Sequence, residues 1–314
     1  MMLSKQAAMR DAYGEALLEL GAANRNVVVV GADTTGSLKS GVFGAKYPER
    51  FFNVGIAEQN LVSIAAGLAL AGKIAYSGTY AIFVPGKCVD QIRNNICYPN
   101  LNVKLVCSHG GISVGPDGAS HQQVEDLAIM RAIPKMKVVV PADAPSTKGV
   151  VKAIASIPGP FYVRLTRSAT PVVYEGGFEY RFGEADVLRD GGDIAVFACG
   201  IMVPEALKAA ESLKTNGISA AVVDMHTIKP IDSKTILRFA QKCGRVVTAE
   251  EHNVLGGMGS AVAEVLGEGH PTPMKRVGVM DTFGESGDPG ELLKKYGLTA
   301  ANIEQAASDL VHSK

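Results

Sequence analysis

The segment Val27-Val-Val-Val-Gly-Ala-Asp33 is apolar without alternation and ends abruptly on glycine and an acid. An uninterrupted apolar run of this length reads as a strand buried on both faces, and such strands belong to parallel sheets covered by helices. Similar short runs recur at residues 74–77, 103–108, 137–141 and 161–166. Helical spacing lies between them, over residues 4–20, from Glu58 onward and over 145–157. Strands and helices in alternation predict an α/β architecture with a mostly parallel sheet.

From about residue 170 to 182 the periodicity lapses into Pro-Val-Val-Tyr-Glu-Gly-Gly-Phe-Glu-Tyr, which reads as a linker. A second series follows, with strands at 194–199, 220–225, 245–249 and 276–280 and helices at 204–215, 233–242 and 260–266. Right-handed crossovers make this a smaller doubly wound sheet. The expectation is two doubly wound, mostly parallel-sheet domains, at residues 1–170 and 185–314, joined by a linker at 171–184. Gly256-Gly-Met-Gly-Ser-Ala precedes a helix and could cradle an anion, but it lacks dinucleotide-loop spacing and suits close backbone packing better.

Lys+Arg and Asp+Glu number 31 each, so no basic stripe points to nucleic acid. The five cysteines are odd in number and lack metal-ligand spacing, which suits a reducing compartment. The N-terminus has no apolar signal core, and no apolar run approaches the ~20 residues needed to span a bilayer. These features predict a soluble, cytoplasmic protein without nucleic-acid or membrane partners.

Polar residues concentrate in loops that follow the strands, where parallel sheets hold their sites. One loop is Gly31-Ala-Asp33-Thr-Thr-Gly-Ser37, in which Asp33 could also cap the following turn. Another runs from Ser108-His109 to Asp117-Gly-Ala-Ser-His121-Gln122, and a third contains Arg167. Two histidines, an aspartate and an arginine could shuttle protons and clamp an anion. Nothing in their spacing suits a metal. Glu58 opens a helix whose Leu61, Ile64, Ala65 and Leu68 face a core. Its charge is disfavoured by an apolar wall and favoured by a helix terminus, so it is placed either to trade a proton with a heterocycle or merely to complement the helix dipole.

The run Gly55-Ile-Ala-Glu58-Gln-Asn, then Ser77-Gly-Thr-Tyr80-Ala-Ile-Phe83, then His109 with Gly115-Pro-Asp117-Gly-Ala-Ser-His121-Gln, resembles the pyrimidine-binding domain of transketolases. The tail Thr282-Phe-Gly-Glu-Ser-Gly-Asp-Pro-Gly-Glu resembles the transketolase C-terminal domain. The resemblance implies thiamine diphosphate as cofactor, pentose phosphate metabolism, and transfer of a two-carbon ketol unit between ketose and aldose phosphates. It implies that Glu58 hydrogen-bonds the aminopyrimidine ring nitrogen and favours the imino tautomer that activates the cofactor. Tyr80 and Phe83 match the pyrimidine pocket, while Gly86 stands where many relatives carry a third aromatic. His121 and Asp117 match contacts to donor hydroxyls, with His121 also catalytic. His109, Arg167, Ser37 and Arg10 match residues around the substrate phosphate, although Arg10 reads equally as a solvated helix residue.

The family's first domain normally holds the diphosphate through a divalent metal, Mg or Ca, using a Gly-Asp-Gly segment, and no Gly-Asp-Gly occurs in this chain. The resemblance therefore implies one half of a split transketolase, with the diphosphate and metal site on an N-terminal partner subunit in an α2β2 assembly. The β subunit of 2-oxo-acid dehydrogenases, a deoxyxylulose-phosphate-synthase-like half and a non-catalytic scaffold paralogue remain alternatives. Intact Glu58, Asp117, His121 and Arg167 argue against the last. His226 and Glu250-Glu251-His252 read as structural or interface clusters.

Overall fold

The computed structural model describes residues 5–313. Its strands are β1 (Gln6–Ala7), β2 (Val27–Gly31), β3 (Phe51–Asn53), β4 (Ile74–Gly78), β5 (Val103–Cys107), β6 (Lys137–Val139) and β7 (Phe161–Arg164). They continue with β8 (Thr170–Pro171), β9 (Asp186–Arg189), β10 (Ile194–Ala198), β11 (Ala220–Asp224), β12 (Thr227–Lys229), β13 (Val246–Asn253) and β14 (Met274–Val279). A seven-stranded sheet runs β12-β6-β7-β5-β4-β2-β3, and a five-stranded sheet runs β14-β13-β10-β11-β9. Every pairing in them is parallel except the edge pairs β12–β6 and β11–β9. The fold is α/β, with two doubly wound sheets.

The uninterrupted runs are buried because helices cover both faces. Val28 and Val30 pack with the helix Glu58–Leu70 through Leu61, Val62 and Ala65, while Val27 and Val29 face Met9, Tyr13 and Leu17 of the helix Met9–Ala23. The helix Ala144–Ile154 starts where Asp143 accepts the Ser146 N–H at 2.8 Å and completes a capping box. Its Val150, Val151 and Ile154 join the same layer.

Three local readings change. Ser4, the expected start of the first helix, lies outside the described residues; Gln6–Ala7 pair with Thr170–Pro171 as a ribbon, and the helix begins at Met9. β3 was unanticipated, because Phe52 and Asn53 are exposed and carry no buried-strand pattern. β12 follows β11 closely in sequence yet closes the edge of the other sheet. The segment between the sheets is held to the first domain, where Asp143 also accepts the Val173 and Tyr174 N–H groups at 2.7 and 2.9 Å.

Candidate functional site

In the seven-stranded sheet the chain steps from β2 to β3 on one side and continues through β4 on the other. Such a reversal opens a crevice at the carboxyl ends of the strands. Asp33 and Ser37 follow β2, Glu58 follows β3, Tyr80 and Phe83 follow β4, His109 follows β5, and Arg167 follows β7. One edge thus receives residues from five separate segments. The helix Met9–Ala23 adds Arg10, whose Nη1 donates to the Ser37 carbonyl at 2.7 Å.

Glu58 is 6% exposed, at the first turn of its helix. Lys87 reaches it with Nζ 3.3 Å from Oε2, and the same ammonium lies 4.4 Å from the Phe83 ring centroid. The Phe83 and Tyr80 rings stack at 5.8 Å. The Tyr80 ring also stacks on His109 at 3.8 Å, and its hydroxyl donates to Ser37 Oγ at 3.1 Å. His121 meets Phe83 edge-on at 5.5 Å and Tyr80 at 6.3 Å. A side chain at Gly86 would meet nothing within 4 Å, so this flank of the aromatic group is open.

His109 is buried and has a left-handed backbone (φ 62°), a conformation that non-glycine residues adopt mainly where the surroundings enforce it. Burial, and then the positive fields of Arg10 and Arg167, push its pKa down to about 3, so the ring is neutral near pH 7. Its Nδ1 shares a 2.8 Å hydrogen bond with Ser108 Oγ. Burial and Arg167 likewise lower the pKa of Arg10. Among the described residues neither arginine forms an ion pair with a carboxylate, and the buried Arg10 Nε has no hydrogen-bond partner. Two guanidiniums close together, with a spare buried donor, make a ready anion site.

Asp117 is exposed in the loop between His109 and Gln122. Asp33 does not cap the helix Thr35–Leu38, whose N-cap is Thr34; instead its N–H donates to Asn53 Oδ1 at 2.9 Å. Lys87 escaped the sequence reading, although it lies four residues after Phe83, the spacing that places two side chains together on a helical turn.

A buried charge network lies beneath this edge. Arg164 Nε donates to Asp126 Oδ2 at 2.9 Å, and Tyr162 donates to the same oxygen at 2.6 Å. Arg164 Nη2 reaches the carbonyls of Gln123 and Glu251 at 3.0 and 2.8 Å. Burial opposes the Arg164 charge, but Asp126 and then Glu251 hold it above the ordinary arginine range. His252 Nε2 accepts the Leu127 N–H at 3.2 Å, which ties β13 of the second sheet to the first domain. The Gly256–Gly259 turn binds an internal anion: Glu250 accepts the Met258 and Gly259 N–H groups at 2.6 and 2.8 Å. A Cβ at Gly257 would lie 2.2 Å from Glu250 Oε2, so glycine is needed there for close approach.

Among the described residues no group of three or more His, Cys, Asp or Glu side chains could hold a metal ion, and no helix is long and apolar enough to cross a membrane. All five cysteines are buried and unpaired. A groove of about 1120 Å³ lies elsewhere, between the helices Met9–Ala23 and Ala144–Ile154 and the inter-sheet segment.

Comparison with known proteins identifies both domains. Residues 5–172 match the transketolase pyrimidine-binding domain, and residues 183–303 match the transketolase C-terminal domain. A Methanocaldococcus jannaschii protein named as a transketolase C-terminal section is 49% identical over 94% of this chain and 93% of its own length. A 6-deoxy-6-sulfo-D-fructose transketolase subunit of a Clostridium species is 42% identical, over 98% of this chain and 95% of its own. A solved structure described as a split gene transketolase, inactive β4 tetramer, has a TM-score of 0.90 and 48% identity, covering 98% of this chain and 99% of its own. The chain belongs to the transketolase family, as the C-terminal half of a split transketolase with pyrimidine-binding and C-terminal domains.

Proposed function

We propose that this chain is the subunit of a two-chain transketolase that moves a two-carbon ketol unit between ketose and aldose phosphates, with thiamine diphosphate as cofactor. The observation that carries the reading is the buried Glu58 carboxylate beside the Tyr80–Phe83 stack, with open space at Gly86. A buried acid and flat apolar rings suit an aminopyrimidine: the rings take its faces, and the carboxylate takes its ring nitrogen. Bound thiamine diphosphate supplies the nucleophilic carbon and the electron sink for carbon–carbon cleavage.

The chain's own groups then position the sugar and handle its protons. Arg10 and Arg167, with Ser37 between Arg10 and Tyr80, bind the terminal phosphate. Two guanidiniums favour a dianionic phosphate over a singly charged sulfonate, which distinguishes this reading from the sulfo-sugar named for the Clostridium relative. His109, neutral at pH 7 and with Nδ1 engaged by Ser108 Oγ, offers its Nε2 to the substrate near the phosphate. His121 and Asp117 contact the donor hydroxyls, and His121 exchanges protons with them.

The diphosphate and its Mg or Ca ion belong to an N-terminal partner subunit in an α2β2 assembly. The absence of Gly-Asp-Gly from the chain supports this, as does the description of a related split-gene chain as an inactive β4 tetramer. Unpaired cysteines suit the reducing cytoplasm. The test is to mix the chain with its N-terminal partner, cofactor and divalent metal, and to assay ketol transfer. Activity is expected only in the mixture; turnover by this chain alone would overturn the reading.

A further inference from the structure

The loop that carries Asp117 and His121 is gripped from the second domain as well as its own. Within the first domain, Gly111 N–H donates to the Gln123 carbonyl at 2.7 Å, and Arg167 Nη1 donates to the Val114 carbonyl at 2.7 Å. From the second domain, the buried Glu251 carboxylate accepts the Ser113 N–H at 2.6 Å. Gly111, at φ 90°, leaves room for that carboxylate, since a Cβ there would lie 2.1 Å from the Glu251 carboxyl carbon. Farther along, Gln122 Nε2 donates to the Glu285 carbonyl at 2.9 Å and back to the Ile112 carbonyl at 3.1 Å. Ser286 and Pro289 press on the loop at Gly118 and Gly115, where an added Cβ would come within 2.5 and 2.9 Å of them.

These contacts come from two separate stretches of the second domain, the end of β13 and the segment that runs into the first residue of the helix Pro289–Lys295. They converge on one loop of the first domain and flank both residues proposed to meet the donor sugar. The cofactor pocket, by contrast, is built from Glu58, Tyr80 and Phe83 on other elements. We propose that the second domain sets the position of the donor-sugar loop, with Glu251 and Gln122 as positioning residues. This rests on the reading of Asp117 and His121 as donor contacts. It assigns the second domain a part in substrate affinity.

The test has two readouts. Hydrogen exchange on the full chain alone reports loop position without activity: Glu251→Ala should speed exchange of residues 112–122 about tenfold or more, while helix Met9–Ala23 is unchanged. In the two-chain enzyme the same variant should raise the donor KM about tenfold, with kcat reduced less than about threefold and cofactor affinity unchanged. Glu251→Gln keeps an acceptor for Ser113 N–H and should restore most of both. Gln122→Leu removes the second contact and should give the same signature, which keeps the proposal testable if Glu251→Ala does not fold. Unchanged exchange over 112–122 in these variants would overturn the proposal, as would parallel losses of cofactor and donor affinity. Faster loop exchange in a chain whose wild-type mixture shows no ketol transfer would sink the functional reading and leave the loop placement standing.

Discussion

Lys87 Nζ lies 3.3 Å from Glu58 Oε2, joining a half-exposed ammonium to a carboxylate that is 6% exposed. The pair bridges solvent and the floor of the aromatic group, because Lys87 also covers the Phe83 ring. Removing the acid leaves a lysine that water can still solvate, so the fold should tolerate it. Glu58→Ala is expected to change the unfolding free energy by no more than about 1 kcal/mol. Ketol transfer in the two-chain enzyme should fall at least about 100-fold. A urea titration and a coupled activity assay read the two effects, and near-normal turnover would remove Glu58 from the mechanism.

Arg167 is assigned to the phosphate together with Arg10. Losing charge-assisted hydrogen bonds to a ligand anion costs about 1.5–3 kcal/mol, or about 10–100-fold in affinity. Arg167→Ala should therefore raise KM by that factor for phosphorylated donors and by less than about threefold for unphosphorylated ones. Steady-state kinetics with matched sugar pairs decides it; equal losses on both would place Arg167 in loop support, through Val114, rather than in phosphate binding.

Burial and two nearby guanidiniums hold His109 neutral down to about pH 3, against an ordinary value of 6.5. Between those pH values the unfolded chain binds a proton that the folded chain refuses, so stability falls as pH falls through this window. Above pH 6.5 both states are neutral and the effect is absent. In His109→Asn the unfolding free energy should decline less steeply from pH 6.5 to 4.5 than in the wild type. Urea unfolding at several pH values tests this, and parallel slopes would contradict it.

Asp143 ties together a helix start and the segment between the sheets. Its Oδ1 accepts the Ser146 N–H, and its Oδ2 accepts those of Val173 and Tyr174. Asp143→Ala strands buried donors and removes the cap, at a cost of about 2–4 kcal/mol. Asn can still accept with one oxygen, and Asp143→Asn should lose less. Thermal unfolding of both variants checks the order.

The parts legible in the sequence were those whose cause is local. The Val27–Gly31 run, the apolar stripe after Glu58 and the crossover into residues 145–157 each state their burial within a few residues. β12 does not, because Thr-Ile-Lys becomes a strand only by meeting Val138 and Val139 from far away in sequence. At the site, residue type and loop position pointed to His109 and Arg167, and the family resemblance pointed to Tyr80, which stacks on His109. The Lys87 contact with Glu58 and the grip of Glu251 on Ser113 depend on how separate elements pack, and no local pattern encodes them.

The edge strand β12 has a consequence for dividing the polypeptide. It covers Lys137–Val139 with backbone hydrogen-bonding groups supplied from beyond the inter-sheet segment. A fragment ending after Pro171 would present that row bare to solvent, a template for pairing with another molecule. The half matched by the pyrimidine-binding model is therefore not a separable piece of material: its sheet is completed by a strand encoded with the other half, and a severed first half should self-associate rather than persist as a monomer.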